Sequence, residues 1–139
     1  MTTPRFDREQ IHAGVREDLS TCLAVEPDDV TLETNFFYDL DGESIDVLDF
    51  GFRCERRLGI RSPFTRLTAP EAWQFDDKGQ ISEQSLQALH AEFPQIDWKT
   101  RLGAKPMQSY KDAVTIGLMV EVLYFAQFAE ATPPSASPA

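Results

Sequence analysis

The chain has 139 residues, 42% apolar and 11% aromatic, so it can bury a core as one globular domain and is not of the disordered class. Its formal net charge of −10 argues against nucleic acid and anionic membranes as main partners, because phosphate binding requires clustered Lys and Arg. A basic protein is the more plausible partner.

The negative charge is concentrated in the first half of the chain. Residues 1–60 hold 14 acids and 6 bases, whereas residues 61–139 hold 9 acids and 7 bases. Between Glu17 and Phe52 there are eleven acids and no base. This segment therefore projects a negative field.

The cysteines and the apolar runs indicate the compartment. Cys22 and Cys54 lie in apolar helical patterns, which favours buried reduced thiols over a disulfide or a metal pair. The first ten residues contain no apolar core of signal length, and the most apolar run, 113–128, is short for a bilayer and contains Glu121. A soluble cytoplasmic protein without stable membrane insertion is predicted.

A first amphipathic helix is predicted between Phe6 and Ala24, because apolar residues recur there at spacings of three and four. These residues are Ile11, Val15, Leu19, Cys22 and Leu23. The following nineteen residues, 25–43, form a long loop that we expect to be pinned by its own apolar side chains. These anchors are Val25, Val30, Leu32, Phe36 and Phe37.

A second helix is predicted from Ser44 to Leu58, with Gly59 as the residue type preferred after a helix. At about 100° per residue, one half of this helix is apolar and is expected to pack. That half comprises Ile45, Val47, Leu48, Gly51, Phe52, Cys54 and Leu58. The displayed half comprises Asp46, Asp49, Arg53, Arg56 and Arg57.

The remaining segments are less regular until the last helix. Thr68 and Pro70 predict a short helical turn, and residues 75–81 predict a tight turn between extended pieces. Residues 82–93 predict a helix that ends before Pro94, and residues 97–102 predict one further helical turn. A last helix is predicted within 109–130, and it is apolar almost all round. Either the middle segment or another subunit should therefore cover it, so a homodimer through this helix is one option. Residues 131–139 are expected to be a disordered tail.

Ser44 is the residue that needs an explanation. By itself it is typical of a helix cap, a role that contributes about 1 kcal/mol. A small hydrolase with Ser44 as nucleophile would need a base in reach, but His12 and His90 lie on helical patterns without an acid–His–Ser arrangement. The residues therefore predict no catalytic serine, and no enzyme.

The sequence around Ser44 resembles a known signature. Residues 39–46 read Asp-Leu-Asp-Gly-Glu-Ser-Ile-Asp and continue Val-Leu-Asp, which is similar to the D-L-G-x-D-S-L-D signature of acyl carrier proteins. The resemblance runs from about residue 8 through the ERRLGI sequence to residue 62, and a last helix near 109–126 resembles the family's fourth. The Asp41-Gly42 order, Glu43, and arginines at 53, 56 and 57 depart from the usual pattern.

The resemblance implies an all-α, acyl-carrier-like four-helix bundle with a long insertion between the second and last helices. Residues 1–130 would be one carrier domain: 5–62 with the first two helices and the acidic loop, 63–108 the insertion, and 109–130 the last helix. In this family 4′-phosphopantetheine is attached to the serine through a phosphodiester, so Ser44 is the expected attachment site. The function implied is presentation of an acyl thioester to enzymes of fatty acid, lipid or polyketide-type biosynthesis.

Further site residues follow from this reading. The acids that we expect to dock basic partners are Asp39, Asp41, Glu43, Asp46 and Asp49. The expected partners are a phosphopantetheinyl transferase and acyl-transferring or condensing enzymes with basic patches, and no metal is expected. Candidate acyl-chain lining residues are Val47, Phe50, Phe52 and Ile60. Plainer alternatives are a merely solvated acidic face and ordinary core residues.

Two other readings stay open at this point. The chain could be an acidic helical interaction module of the same shape that is never modified, in which Ser44 is only a cap. It could also be a peptidyl carrier that accepts an amino acid.

Overall fold

A computed structural model of the protein describes residues 5–69, 73–102 and 106–129, and the described part is all-α. Its α-helices are α1 (Arg8–Leu23), α2 (Ser44–Leu58), α3 (Phe64–Leu67), α4 (Glu83–Glu92), α5 (Trp98–Leu102) and α6 (Ile116–Ala129). Short 3₁₀ turns lie at Pro27–Asp29 and Tyr110–Asp112, and within these ranges β-structure is limited to two isolated bridges. The all-α prediction is confirmed. The expected tail, 131–139, lies outside the described residues.

Helix α1 forms as predicted, because its amino end is capped and one stripe is apolar. Asp7 accepts a hydrogen bond from the Gln10 amide at 2.8 Å, and the Gln10 side chain accepts one from the Asp7 amide at 2.8 Å. Ile11, Val15 and Leu19 are buried against the core. The helix packs on both α2 and α6.

Helix α2 has the predicted bounds, but its packed face differs from the predicted one. Gly59 ends it with φ 70°, and its amide donates to Glu55 O at 2.8 Å. The buried residues are Val47, Phe50, Gly51, Cys54 and Leu58. Ile45, Leu48 and Phe52 are instead 70%, 48% and 57% exposed, so their assignment to the packed half was wrong. Phe50, which the predicted half left out, is fully buried, so the covered strip is displaced towards it and away from the three exposed residues.

An aromatic series fills the interior beneath α2. Phe50 stacks on Phe64 of α3 with ring centroids 5.3 Å apart, and on Phe36 of the acidic loop at 6.1 Å. Phe36 meets Phe37 edge-on at 5.0 Å, and Phe37 meets Tyr110 at 5.6 Å. The long loop is therefore pinned by its aromatic residues, as predicted. Of the expected anchors, Leu32 is the exception, with 45% of its surface exposed.

The middle segment contributes α3, α4 and α5. Residues 75–81 form the predicted tight turn, with a bridge between Phe75 and Ile81. Helix α4 and the turn at α5 also form as predicted. Thr68, which was expected to open a short helical turn, instead follows the last residue of α3, and its hydroxyl donates to Phe64 O at 2.8 Å. Pro70 itself lies outside the described residues.

Helix α6 begins at Ile116, later than predicted. Its approach is held in an extended form against the acidic loop, because Thr115 bridges to Asn35 and Val114 O accepts from the Phe36 amide at 3.1 Å. Helix α1 packs on α6, and a cleft lined by Arg66 and Phe93 of the middle segment borders its far end. Leu118, Met119 and Leu123 of α6 are at most 1% exposed within one chain. No helix in the described ranges combines the length and apolarity needed to cross a membrane.

Candidate functional site

Ser44 is the first residue of α2 and is exposed. The cap position belongs to Glu43, whose amide donates to Asp46 Oδ2 at 2.8 Å. Ser44 is therefore not the cap of this helix, contrary to the plainer reading of the sequence. Within the described part of the chain, the Ser44 hydroxyl has no hydrogen-bond partner. The side chain is free to be modified.

The amino end of α2 suits an anion. The amides of Asp46 and Val47 both donate to Glu43 O, at 2.9 and 3.1 Å, whereas those of Ser44 and Ile45 have no acceptor among the described residues. Unpaired amides and the positive end of the helix dipole favour a nearby anion by about 0.3–1 kcal/mol at an exposed site. A phosphodiester on Ser44 fits this environment.

The loop before Ser44 is organised by Asn35, a residue type that is common in turns. Its Oδ1 accepts from the amides of Phe37 and Tyr38 at 2.8 and 2.9 Å, and its Nδ2 donates to Lys111 O at 2.9 Å. Its own amide donates to Asp39 Oδ2 at 2.8 Å. One buried side chain therefore joins the acidic loop to the segment before α6. The partner at Lys111 is 76 positions away, so no local signal could have found it.

The Asp41-Gly42 departure from the usual order has a structural basis. Asp41 has φ 57°, in the left-handed region where Gly is relaxed and Asp is among the better tolerated alternatives. Gly42 is buried, donates to Phe36 O at 3.0 Å, and leaves room for the Phe36 ring. Position 42 requires glycine because the Phe36 ring is closest there, whereas the positive φ occurs one residue earlier, at Asp41.

The five predicted docking acids are all on the loop or the first two turns of α2, but they differ in their contacts. Asp39 and Asp46 accept backbone hydrogen bonds that shape the loop and the helix start. Asp49 Oδ1 lies 3.6 Å from Arg53 Nε. Asp41 and Glu43 are exposed. Asp39 and Asp49 are exposed as well, but Asp41 and Glu43 form none of these contacts and are therefore the most available for a partner.

The four candidate lining residues do not share one location. Val47, Phe50 and Ile60 are at most 5% exposed and belong to the core. Phe52 is 57% exposed, so it has no place in an interior cavity. With Ile45 and Leu48 it forms an apolar stripe at spacings of three and four along the outside of α2. Sequence reasoning missed this stripe because it merged two apolar faces into one.

The arginines of α2 have different roles. Arg57 Nε and Nη2 donate to the two carboxylate oxygens of Asp18 on α1, at 3.1 and 2.9 Å. This hydrogen bonding raises the pKa of Arg57 above its usual value, against the opposing effect of burial. Arg53 is partly covered, whereas Arg56 is exposed. Arg57 therefore holds α1 to α2, and Arg56 is displayed.

The two thiols are free and poorly suited to react. Burial, and then a hydrogen bond with Asp49, raises the pKa of Cys22 to about 11. Burial raises the pKa of Cys54 well above its usual value. Across the described ranges there is no cluster of three or more side chains that could hold a metal ion. The reduced-thiol prediction is consistent with this placement.

Comparison with known proteins finds a family described as "Phosphopantetheine attachment site", which matches residues 13–71. The acyl carrier protein of Lactobacillus acidophilus is 31% identical over 58 residues, which is 42% of this chain and 72% of that protein. The meromycolate extension acyl carrier proteins of Mycobacterium leprae and Mycolicibacterium smegmatis are 30% and 32% identical over 56 residues, which is 40% of this chain and 49% and 57% of theirs. The chain thus spans about half the length of these mycobacterial relatives. No solved structure matches it significantly.

Proposed function

Because the chain belongs to the acyl carrier protein family, we propose that it carries acyl groups as thioesters on 4′-phosphopantetheine attached to Ser44. The observation that carries this proposal is the exposed Ser44 side chain at the first position of α2, beside unpaired amides. The matched region, residues 13–71, contains the later part of α1, the acidic loop and α2.

Attachment would be carried out by a separate phosphopantetheinyl transferase. A phosphodiester bond forms between Ser44 Oγ and the phosphorus of a nucleotide-activated phosphopantetheine, the nucleotide leaves, and the hydroxyl proton passes to a base of the transferase. This chain contributes exposure and a positive helix end rather than a base. His12 hydrogen-bonds Val30 O at 3.3 Å, and within the described residues neither it nor His90 contacts Ser44.

When attached, the arm supplies a flexible thiol that holds the acyl group. The reactions on that group belong to partner enzymes, and we propose that the chain itself is not an enzyme. The proposed partners are the transferase and acyl-transferring or condensing enzymes of fatty acid, lipid or polyketide-type biosynthesis. The cytoplasmic location inferred from the sequence stays a prediction.

We propose that acids near Ser44 bring basic patches of these enzymes to the attachment site. Asp41 and Glu43 are exposed and lie within three residues before Ser44 in the chain, so they would make the direct contacts. Asp39, Asp46 and Asp49 would add to the field while also holding the loop and helix in shape. Because exposed charges are screened beyond about 8 Å at physiological salt, docking should weaken as salt is raised.

Val47, Phe50 and Ile60 remain the proposed contacts for a sheltered acyl chain. They lie in a stack of rings that is already well packed, so a chain could enter only by displacing side chains. Each buried methylene would then contribute less than the usual ~0.8 kcal/mol. Thermal unfolding of acylated protein with increasing chain length tests this: the Tm should rise with length, and a constant Tm would show that the chain stays outside.

The attachment is tested by coexpression with a broad-specificity phosphopantetheinyl transferase and measurement of the intact mass. The wild type should gain one arm, Ser44→Ala should gain none, and Ser20→Ala, a control on α1, should gain one. No mass gain in the wild type would favour the unmodified interaction module. Loading with fatty acyl and aminoacyl donors then separates an acyl carrier from a peptidyl carrier, and labelling of Ser44 by a serine-reactive probe would reveal a hydrolase instead.

A further inference from the structure

The outward face of α2 carries an apolar stripe that the rest of the chain does not cover. Ile45, Leu48 and Phe52 are 70%, 48% and 57% exposed, and they follow one another along the helix immediately after Ser44. Three neighbouring exposed apolar side chains on one helical face are more than the scattered single residues that are ordinary on a protein surface. The stripe begins next to the proposed attachment site and leads away from it.

The charge on α2 reverses along this stripe. Its first half has Asp46 and Asp49, after the acids of the loop, whereas its last turn has Arg56 and Arg57. Arg5 continues the basic end, because its Nη2 donates to Leu58 O at the end of the helix. On a helical projection Arg56 lies about 40° from Phe52, so the stripe ends at this arginine.

Arg56 and Arg57 are not equivalent. Arg57 is held by Asp18 and Glu17 of α1. Arg56 is exposed, and no acid of the described residues lies within 4.0 Å of it. Basic residues near the carboxyl end of a helix interact favourably with the helix dipole, which explains the positive charge of the last turn of α2. It does not explain why the apolar stripe beside them is uncovered. An arginine fork without a partner is well suited to bind a carboxylate at both oxygens.

We propose that Arg56, with Arg53 beside it, forms a basic pole on the exposed face of α2 that selects a partner enzyme with carboxylates at the matching position. The partner would place basic side chains over the acids at residues 39–49, an apolar groove over the stripe, and carboxylates over Arg56 with Arg53 beside it. This proposal rests on the proposed function, since docking at α2 serves delivery of a group carried on Ser44. The occupant is inferred from charge complementarity along one helix face.

Selection between partners follows from this arrangement. An enzyme with a docking patch that is basic throughout would be attracted at the amino end of α2 and repelled at Arg53 and Arg56. Like charges placed opposite each other across an interface suppress binding of the wrong partner, and they act most strongly on the association rate. The arginines thus direct the carrier away from such enzymes and towards a dedicated partner.

The probe for this proposal is an acyltransferase of a bacterial fatty acid synthase with a uniformly basic docking patch, used in malonyl transfer to the arm-loaded protein. Arg53→Glu combined with Arg56→Glu should raise kcat/KM about tenfold at low salt, and the gain should shrink as salt is added. The matched control is Lys99→Glu with Arg101→Glu on α5, which changes the net charge equally and should have a much smaller effect. Phe52→Ser in the reversed variant should lower kcat/KM without lowering the Tm, because the ring is exposed.

The intact mass of every variant is measured before the transfer assay. If no arm is attached to the wild type, the proposed function fails and this inference fails with it. If arms attach but the α2 reversal gives no gain, or the α5 control gives an equal gain, only the proposed basic pole is overturned. Circular dichroism checks the helix content of the reversed variant, and Arg56→Glu alone, at the exposed position, repeats the test without disturbing the partly covered Arg53.

Discussion

The ring of Phe36 lies directly against Gly42, and a Cβ on Gly42 would fall 2.7 Å from the ring's Cδ2 atom. Phe36 is fully buried and stacks on Phe50 of α2, so the ring joins the loop to this helix, which begins two residues after Gly42. The position of Ser44 therefore depends on a glycine that closes the loop over an aromatic core.

The first prediction concerns this contact. Gly42→Ala should lower the free energy of unfolding by about 1–3 kcal/mol, because the methyl group must displace a well-packed ring or the loop backbone. It should also slow arm attachment at Ser44. Urea unfolding and the rate of mass gain with the transferase measure both effects.

The adjacent position provides the control for Gly42. Asp41→Gly removes the cost of a left-handed conformation, about 1–2 kcal/mol, and adds the chain entropy of glycine, about 0.5–1 kcal/mol, so stability should stay equal or rise slightly. A Gly42→Ala variant as stable as the wild type would show that Phe36 has room to move.

The second prediction concerns the ion pair between α1 and α2. Arg57→Ala should cost about 1–3 kcal/mol, a range that allows for screening of the partly exposed arginine, because Asp18 would be left as a buried carboxylate without its two charged hydrogen bonds. Arg56→Ala, one position away and exposed, should change stability by less than about 0.5 kcal/mol. Equal effects of the two substitutions in urea unfolding would contradict the assigned role of Arg57.

The third prediction concerns the number of reactive thiols. Since burial raises the pKa of both Cys22 and Cys54, the unmodified native protein should react slowly with a thiol reagent near pH 7.5. Attachment of the arm should add one fast-reacting thiol, and denaturation should reveal all three. A fast thiol before attachment, absent in Cys22→Ala, would show that Cys22 is more accessible than its contacts indicate.

The fourth prediction concerns stability at high pH. The pKa of Cys22 is raised from 9.0 to about 11, so its protonated form is favoured in the folded state; the resulting stabilisation is fully present below pH 9 and is lost as the pH rises through about 11. The loss should be about 1 kcal/mol, reduced from the full linkage value because the thiol is only partly buried. Unfolding free energies of wild type and Cys22→Ala at pH 8 to 11 should converge by this amount. A difference that stays constant over the range would contradict it.

Local signals predicted α1 and α2 well. The spacing of Ile11, Val15 and Leu19, and a glycine after Leu58, depend only on helix geometry and on the backbone freedom of one residue. The motif around Ser44 likewise identified the family, because the residues that form it are adjacent in the chain. The start of α6 could not be predicted in this way, since Thr115 is held extended by pairing with Asn35.

The sequence by itself determined the helical class, the bounds of α2, the acidic surroundings of Ser44 and the kinship with acyl carrier proteins, because each follows from residues close together in the chain. Only the tertiary structure decided which apolar stripe of α2 is buried, that Asn35 organises the loop, and that Arg57 is bound while Arg56 is displayed. These features depend on contacts between residues 39 to 76 positions apart, or on which face a neighbouring element covers. Helical periodicity locates an apolar face but does not specify which element packs against it.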